Sequence, residues 1–283
     1  MERLIVNYYP LSTPRNVIDL RSYGQILEVL SHGKLRGKKS FTNFYLGQNV
    51  LENYLAKESL MGFQLEGAAI VIRRDRDFFH LYTQFHDPES FGNLLFHLPP
   101  QETYVADLIG RDGSQVQPVT HFEKNGFYRH QQLVRYSMNY TPITFSHEKS
   151  QCIFVTEKYS EQVLNYLDNH FDRFSEQLPD IDDVKFAAQN KQILGVLRDD
   201  VLVGFLFFEL SGLVSTVRYW FVHPEYRDEN IGGELMKSYL AVSSSITKSN
   251  LWVVSENLNA IKRYLHYGYE AESLTDQVLI FRS

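Results

Sequence analysis

Apolar residues recur at mixed three- and four-residue spacing over residues 18–30 and 41–55, which predicts two helices separated by a basic, glycine-containing loop over 32–39. From Gly62 the period shortens. The runs 68–72 and 78–85, bridged by the charged residues 73–77, predict a β-hairpin. A helix over 88–98, a strand over 104–109, a helix over 115–125 and a strand over 128–136 follow. The pattern restarts after the polar stretch 137–142, where a boundary is expected between a first domain, 1–140, and a second, 141–283. In the second, a strand over 152–156 leads to a helix over 160–173. Four short apolar segments, 184–188, 192–197, 201–210 and 215–222, read as strands, with turns at Asp199-Asp200 and Ser211-Gly212. A helix over 233–244, a strand over 251–254, a helix over 259–267 and a strand around 277–281 close the chain. The order predicts a mixed α/β fold, with largely antiparallel strands in front and helical crossovers behind.

Composition narrows the class. Hydrophobic residues make up 43% and charged residues 22%, the balance of a globular chain, and 283 residues suffice for two domains with cores of their own. No apolar run approaches the roughly 18 residues of a membrane span, and the first ten residues lack a basic start followed by an apolar stretch, so a cytoplasmic protein with no membrane partner is expected. The single cysteine, Cys152, excludes an intrachain disulfide framework and a thiolate-rich metal site. The net charge of −6 is uneven: 15 basic residues stand against 14 acidic ones in 1–140, and 13 against 20 in 141–283. An acidic second half argues against a nucleic-acid partner and favours a cationic or amine-bearing ligand.

Two segments carry candidate chemistry. Trp220-Phe-Val-His-Pro-Glu-Tyr-Arg-Asp-Glu-Asn-Ile-Gly-Gly-Glu-Leu-Met236 runs from an apolar strand through a proline turn into an amphipathic helix that opens on glycines. Free amides at such a helix start, aided by its dipole, form an anion site, and Gly232 and Gly233 let a pyrophosphate approach closely. Arg227 can add a charge-assisted contact. In the second segment, Asn257-Leu-Asn-Ala-Ile-Lys-Arg-Tyr-Leu-His-Tyr-Gly-Tyr269, Asn257 or Asn259 suits a helix cap. Ile261, Tyr264, Leu265 and Gly268 share one helical face, which turns Tyr264 toward the sheet.

Together these segments resemble the GNAT superfamily of acyl-CoA-dependent N-acyltransferases. Arg227-Asp-Glu-Asn-Ile-Gly232 resembles the family's pyrophosphate loop, Gln/Arg-x-x-Gly-x-Gly/Ala. Asn257, Ala260, Tyr264, Gly268 and Tyr269 match its second signature, Asn-x-x-Ala-x-x-x-Tyr-x-x-x-Gly-Phe. The resemblance covers roughly residues 150–283. It implies an N-acetyltransferase using acetyl-CoA as co-substrate and no metal, with an amine-bearing small molecule or peptide as acceptor. Acetyl-CoA would lie in a cleft between the strand ending at Val222 and the strand over 251–254, its pantetheine arm along the backbone of Phe221, Val222 and His223. The pyrophosphate would sit on the loop of Arg227, Asn230, Ile231, Gly232 and Gly233, with Asn257 and Ala260 completing the cofactor site. Tyr264 would be the catalytic acid, a phenol of ordinary pKa near 10 protonating the leaving thiolate, while a backbone N–H of the first strand polarises the carbonyl.

The match departs from the family at Asn230, which replaces the first loop glycine, although Asn tolerates a left-handed backbone better than other side chains. Asp228 and Glu229 suit a pyrophosphate only if they turn to solvent. For a base that deprotonates the amine, Glu209, His223 and a water chain remain open. The first half carries a degenerate echo: Phe122-Glu-Lys-Asn-Gly-Phe127 aligns with Tyr264 to Tyr269, and the strand preceding Pro88 enters a helix without a phosphate loop. The expected fold is therefore two GNAT-like domains, each a mixed, mostly antiparallel sheet flanked by helices, of which the first, headed by a helical segment, is inactive. Two other readings fit the same residues: a non-catalytic acyl-CoA-binding or sensor module, and a Fem-type transferase dependent on aminoacyl-tRNA. The loop from Arg227 to Gly233 and the lack of a basic surface count against the second.

Overall fold

A computed structural model describes residues 17–58, 60–111, 113–139, 151–242 and 246–283, so the first ten residues and the expected boundary at 140 lie outside the described residues. The chain forms two compact units. The first holds the described residues up to Ile109, with Gly113–His130 and Gln277–Ser283; the second is built chiefly of Gln131–Asp276. The strand that ends the first half thus passes into the second unit, and the last residues of the chain return to the first.

The first unit contains β1 (Ile18–Leu20), α1 (Tyr23–Ser31), β2 (Phe41–Thr42), α2 (Gln48–Lys57), β3 (Leu60–Leu65), β4 (Ala68–Asp75), β5 (Phe78–Phe85), α3 (Pro88–Leu95), β6 (Thr103–Arg111), α4 (Val116–Lys124) and the start of β7 (Tyr128–Asn139). Its strands run β1-β3-β4-β5-β6, antiparallel except for the parallel pair β5 and β6. Each of the two expected amino-terminal helices is preceded by a short strand. Residues 18–20 pair with β3, and Ser22 then caps α1 by accepting from the Gln25 amide at 3.3 Å. Phe41–Thr42 pair with β5. The hairpin expected over 68–85 forms, and Leu60–Leu65 adds a further strand between β1 and β4, antiparallel to both.

The second unit contains β8 (Ile153–Phe154), α5 (Ser160–His170), α6 (Ile181–Gln189), β9 (Ile193–Arg198), β10 (Val201–Ser211), β11 (Val214–Val222), α7 (Ile231–Val242), β12 (Lys248–Val254), α8 (Leu258–His266) and β13 (Glu270–Arg282), whose final residues belong to the first unit. Its strands run β13-β7-β12-β11-β10-β9-β8. Residues 184–188, expected as a strand, are helical. Asp180 accepts from the Asp183 amide at 2.8 Å while Asp183 accepts from the Asp180 amide at 3.2 Å, a capping box that starts α6. Val184, Ala187 and Ala188 then fall at helical spacing on one buried face. The hairpin turn at Asp199-Asp200 has both residues at positive φ, 49° and 63°, which matches the twist of β9 and β10.

Helices cover both faces of this second sheet. Ile231, Leu235, Met236 and Tyr239 of α7 and Tyr264 of α8 pack on Leu206, Val217 and Leu251. Val163 and Leu167 of α5 and Val184 of α6 pack on Phe205, Tyr219 and Phe221. The element order β4-β5-α3-β6-α4-β7 of the first half recurs as β10-β11-α7-β12-α8-β13 in the second. Among the described residues no helix is long and apolar enough to cross a membrane.

Candidate active site

The site begins where two parallel strands part. β11 and β12 pair only from Val214↔Lys248 to Val217↔Leu251. Beyond that point β11 stays on β10 as far as Val222, and β12 stays on β7 as far as Val254. The parting coincides with a β-bulge: Phe207 pairs with Tyr219 and Phe208 with Val217, which leaves Arg218 as the extra residue. A bulge bends and twists its strand, and here it swings the end of β11 away from β12. The resulting gap leaves one edge of β11 without a strand partner. The His223 amide donates to the Val203 carbonyl at 2.9 Å, so by the alternation of a strand Phe221 and His223 bond toward β10. The N–H and C=O of Trp220 and Val222 therefore face the gap. Of the three residues expected to offer backbone to a pantetheine arm, Val222 is the one turned to receive it.

From Val222 the chain passes through His223 and a 3₁₀ turn, Pro224–Glu229, to Asn230, which is left-handed with φ 57° and ψ 17°. That conformation reverses the chain so that α7 starts over β11. A Cβ on Gly232 would lie 3.4 Å from the Trp220 ring, and one on Gly233 would collide with Asn230 Oδ1. Gly233 therefore lets the Asn230 side chain fold back over the helix start, whereas a Cβ on Gly232 would make only an ordinary contact with the strand. The Glu234 amide donates to the Asn230 carbonyl at 3.1 Å, but no described residue accepts from the amides of Ile231, Gly232 or Gly233. Three donors at the positive end of a helix are thus open to an anion. Arg227 is exposed beside them and makes no ion pair with a described residue. Asp228 is exposed, and Glu229 turns to Arg198 at 3.2 Å.

Tyr264 of α8 points inward, as its spacing implies. It is 9% exposed, with its ring centroid 5.7 Å from Trp220 and 5.8 Å from Tyr269. Its hydroxyl makes no hydrogen bond with a described residue. The phenol is not the ordinary one expected: burial lifts its pKa well above 10, and the charge of Glu176 pushes in the same direction. Asn257 caps α8, its carboxamide oxygen accepting from the Ala260 amide at 3.1 Å. These two residues of the second signature are therefore engaged with each other, and they act by starting the helix that carries Tyr264.

The carboxylates sort themselves by partner. Glu209 is exposed and pairs with Arg218 at 3.4 Å. His223 Nδ1 is buried without a hydrogen bond, its nearest carboxylate oxygen being that of Glu225 at 4.0 Å. Glu176, in the loop between α5 and α6, was not singled out by any motif. Burial raises its carboxyl, against the opposing pull of Arg218 and with help from Asp172, to about 7. Among the described residues no group of three or more His, Cys, Asp or Glu side chains is placed to hold a metal ion.

The corresponding places in the first unit are closed. Only His86 and Asp87 separate β5 from α3, and the Asp87 carboxylate accepts from the amides of Glu89 at 3.3 Å and Ser90 at 3.1 Å. A fixed negative charge thus occupies the helix start that an anion would need. Phe122, at the position of Tyr264, is 0% exposed and lies 4.9 Å from both Phe91 and Phe127. An apolar ring there stabilises the core by about 1.5–3 kcal/mol and offers no proton.

The second unit thus joins a splayed parallel pair to an uncapped glycine helix start and a buried phenol, whereas the first unit, whose parallel pair β5 and β6 also parts after two residues, lacks the open helix start and the phenol. Residues 156–269 match the sequence model of the acetyltransferase (GNAT) family. The fold is also that of several solved GNAT proteins. A tandem GNAT protein from the clavulanic acid biosynthesis pathway matches with a TM-score of 0.59 at 11% identity, over 94% of this chain and 97% of its own. A GCN5-related N-acetyltransferase from Sphaerobacter thermophilus matches with a TM-score of 0.56 at 10% identity, over 95% and 96%. A GNAT-family acetyltransferase from Colwellia psychrerythraea matches with a TM-score of 0.54 at 12% identity, over 95% and 100%. At such identities the likeness is one of fold. No curated protein matches significantly.

Proposed function

We propose that the second unit transfers an acetyl group from acetyl-CoA to a primary amine carried by a small molecule or a peptide. The observation that carries this reading is the coincidence of the β11–β12 gap with three open amides at the start of α7. Acetyl-CoA supplies an acyl group already activated as a thioester. The Val222 backbone offers one N–H and one C=O to an extended amide-bearing arm, and the amides of Ile231, Gly232 and Gly233 hold a diphosphate with Arg227 beside them. Tyr264, buried, protonated and free of other hydrogen bonds, gives its proton to the departing sulfur. The first unit carries none of this chemistry and serves as a folded companion.

Calorimetric titration with acetyl-CoA tests the reading, followed by measurement of thiol release with a panel comprising a polyamine, an amino acid, an aminoglycoside and a peptide amino terminus. Saturable binding with acceptor-dependent thiol release supports it. No binding refutes it, and binding with no thiol release from any amine marks the second unit as an acyl-CoA-binding module instead.

A further inference from the structure

We infer that Glu176 is the general base that takes a proton from the acceptor's ammonium group. The assignment rests on the acetyl-transfer reading above and supplies the group that none of the sequence motifs contains. The α5–α6 loop that carries Glu176 is fastened to β11 at its bulge. The Tyr219 hydroxyl donates to the carbonyls of Glu176 at 3.0 Å and Gln177 at 2.8 Å, and Arg218 Nη2 donates to the Gln177 carbonyl at 3.2 Å. Inside the loop, the Glu176 amide donates to the Asp172 carbonyl at 2.9 Å. The next residue of β11, Trp220, packs its ring against Tyr264. Glu176 and Tyr264 are thus tied to adjacent residues of β11 from its two faces, Tyr219 on the α5–α6 side and Trp220 on the α7–α8 side, at the stretch that has left β12, and across that gap the charge of the carboxylate acts on the phenol.

The surroundings suit a base. No described residue donates a hydrogen bond to the Glu176 carboxylate, so its oxygens remain available to an incoming ammonium. The groups that face it are Arg218 and Tyr219 from β11, Asp172 from its own loop and Tyr264 from α8. Arg218 is shared with Glu209 and so compensates Glu176 only in part. With burial dominating, the carboxyl titrates at about 7, where a group can both accept a proton and release it at neutral pH. An N–H bond of R–NH₃⁺ breaks and its proton passes to a Glu176 oxygen. The freed nitrogen pair forms the C–N bond to the thioester carbonyl carbon as the C–S bond breaks. The sulfur takes the Tyr264 proton, the phenolate regains one from the amide nitrogen, and Glu176 releases its proton to water. The sum is one amide, one thiol and one proton.

The test uses the full chain and Glu176→Gln, with Glu176→Asp as the conservative variant. In the protein without acetyl-CoA, ¹³C NMR of carboxyl-labelled glutamate is expected to show one carboxyl titrating near 7 that Glu176→Gln lacks. With acetyl-CoA and whichever amine of the panel turns over, wild-type kcat/KM should fall as pH drops below about 7. Glu176→Gln should lose that limb and roughly 10²- to 10⁴-fold in rate, with acetyl-CoA affinity retained and partial recovery in Glu176→Asp. If wild type turns over but Glu176→Gln keeps its rate and its acid limb, or if no glutamate titrates near 7, the assignment to Glu176 is overturned while acetyl transfer stands. If wild type neither binds nor consumes acetyl-CoA, both fall together.

Discussion

Replacing Tyr264 with Phe removes one oxygen from the site and leaves the ring. Because that hydroxyl bonds to no described residue, and the contacts at 5.7 Å with Trp220 and 5.8 Å with Tyr269 are made by the ring, folding should hardly notice. The expected change is within about 0.5 kcal/mol, less than ~2 °C in melting temperature. Catalysis should notice a great deal: loss of a positioned proton donor costs about 10²- to 10⁴-fold in turnover, or ~2.7–5.4 kcal/mol at about 1.36 kcal/mol per tenfold. The Tyr269 hydroxyl provides the opposite case. It meets Ser249 Oγ at 2.6 Å, which in turn meets the Tyr239 hydroxyl at 2.7 Å, all buried. Tyr269→Phe should therefore cost about 1 kcal/mol or more in stability, with the turnover of the folded protein retained. Thiol release at saturating acetyl-CoA, calorimetric affinity and thermal melting, measured on both variants, separate the two roles. Unchanged turnover in Tyr264→Phe, or a melting loss equal to that of Tyr269→Phe, would refute the assignment and make Tyr264 a packing residue.

Other outcomes follow from the same geometry. Burial alone would raise Glu272, but hydrogen bonds from Arg135, Lys248 and Ser137 outweigh it and hold its carboxyl down at about 2. Since the folded pKa is the lower one, this contribution is complete above about 4.5 and disappears as pH falls toward 2. Glu272→Gln should accordingly cost about 1–2 kcal/mol at pH 7 and almost nothing near pH 2 in denaturant melts. Asn230→Gly should keep the fold, because the position is left-handed, and tighten acetyl-CoA binding a few-fold by clearing the space beside Gly233. Asn230→Val should weaken folding by about 1–2 kcal/mol in chemical denaturation, the strain of a side chain there. Asp87→Ala should cost about 1 kcal/mol through loss of the α3 cap and leave acetyl transfer untouched, a result that acetylation and melting assays on one preparation can check.

The cap and the inward residue of α8 were readable: Asn257 caps the helix and Tyr264 lies inward as its spacing requires, although Leu265, expected on the same face, is exposed. The left-handed turn at Asn230 was likewise foreseeable, because few other residues adopt it without strain. Residues 184–188 read as a strand because a run as short as Val-Lys-Phe-Ala-Ala fits either period; the signal that decides them is the Asp180–Asp183 box just before. The short strands β1 and β2 and the strand β3 escaped because their partners, not their own pattern, make them strands. Glu176 escaped for a related reason. It sits in an acidic loop with no motif around it, and what sets it apart is burial and a partner on α8.

The amino-acid order alone was enough to reveal the inward Tyr264, the left-handed turn before α7 and the repeated order of elements in the two halves, since each is written in contiguous runs whose backbone chemistry is local. Three things depended on the folded chain: the exchange of Gln131–Asn139 and Gln277–Ser283 between the units, the parting of β11 from β12 at the Arg218 bulge, and the approach of Glu176 to Tyr264. Each is a relation between segments distant in sequence, set by strand pairing and by burial, and neither quantity exists until the sheet has formed.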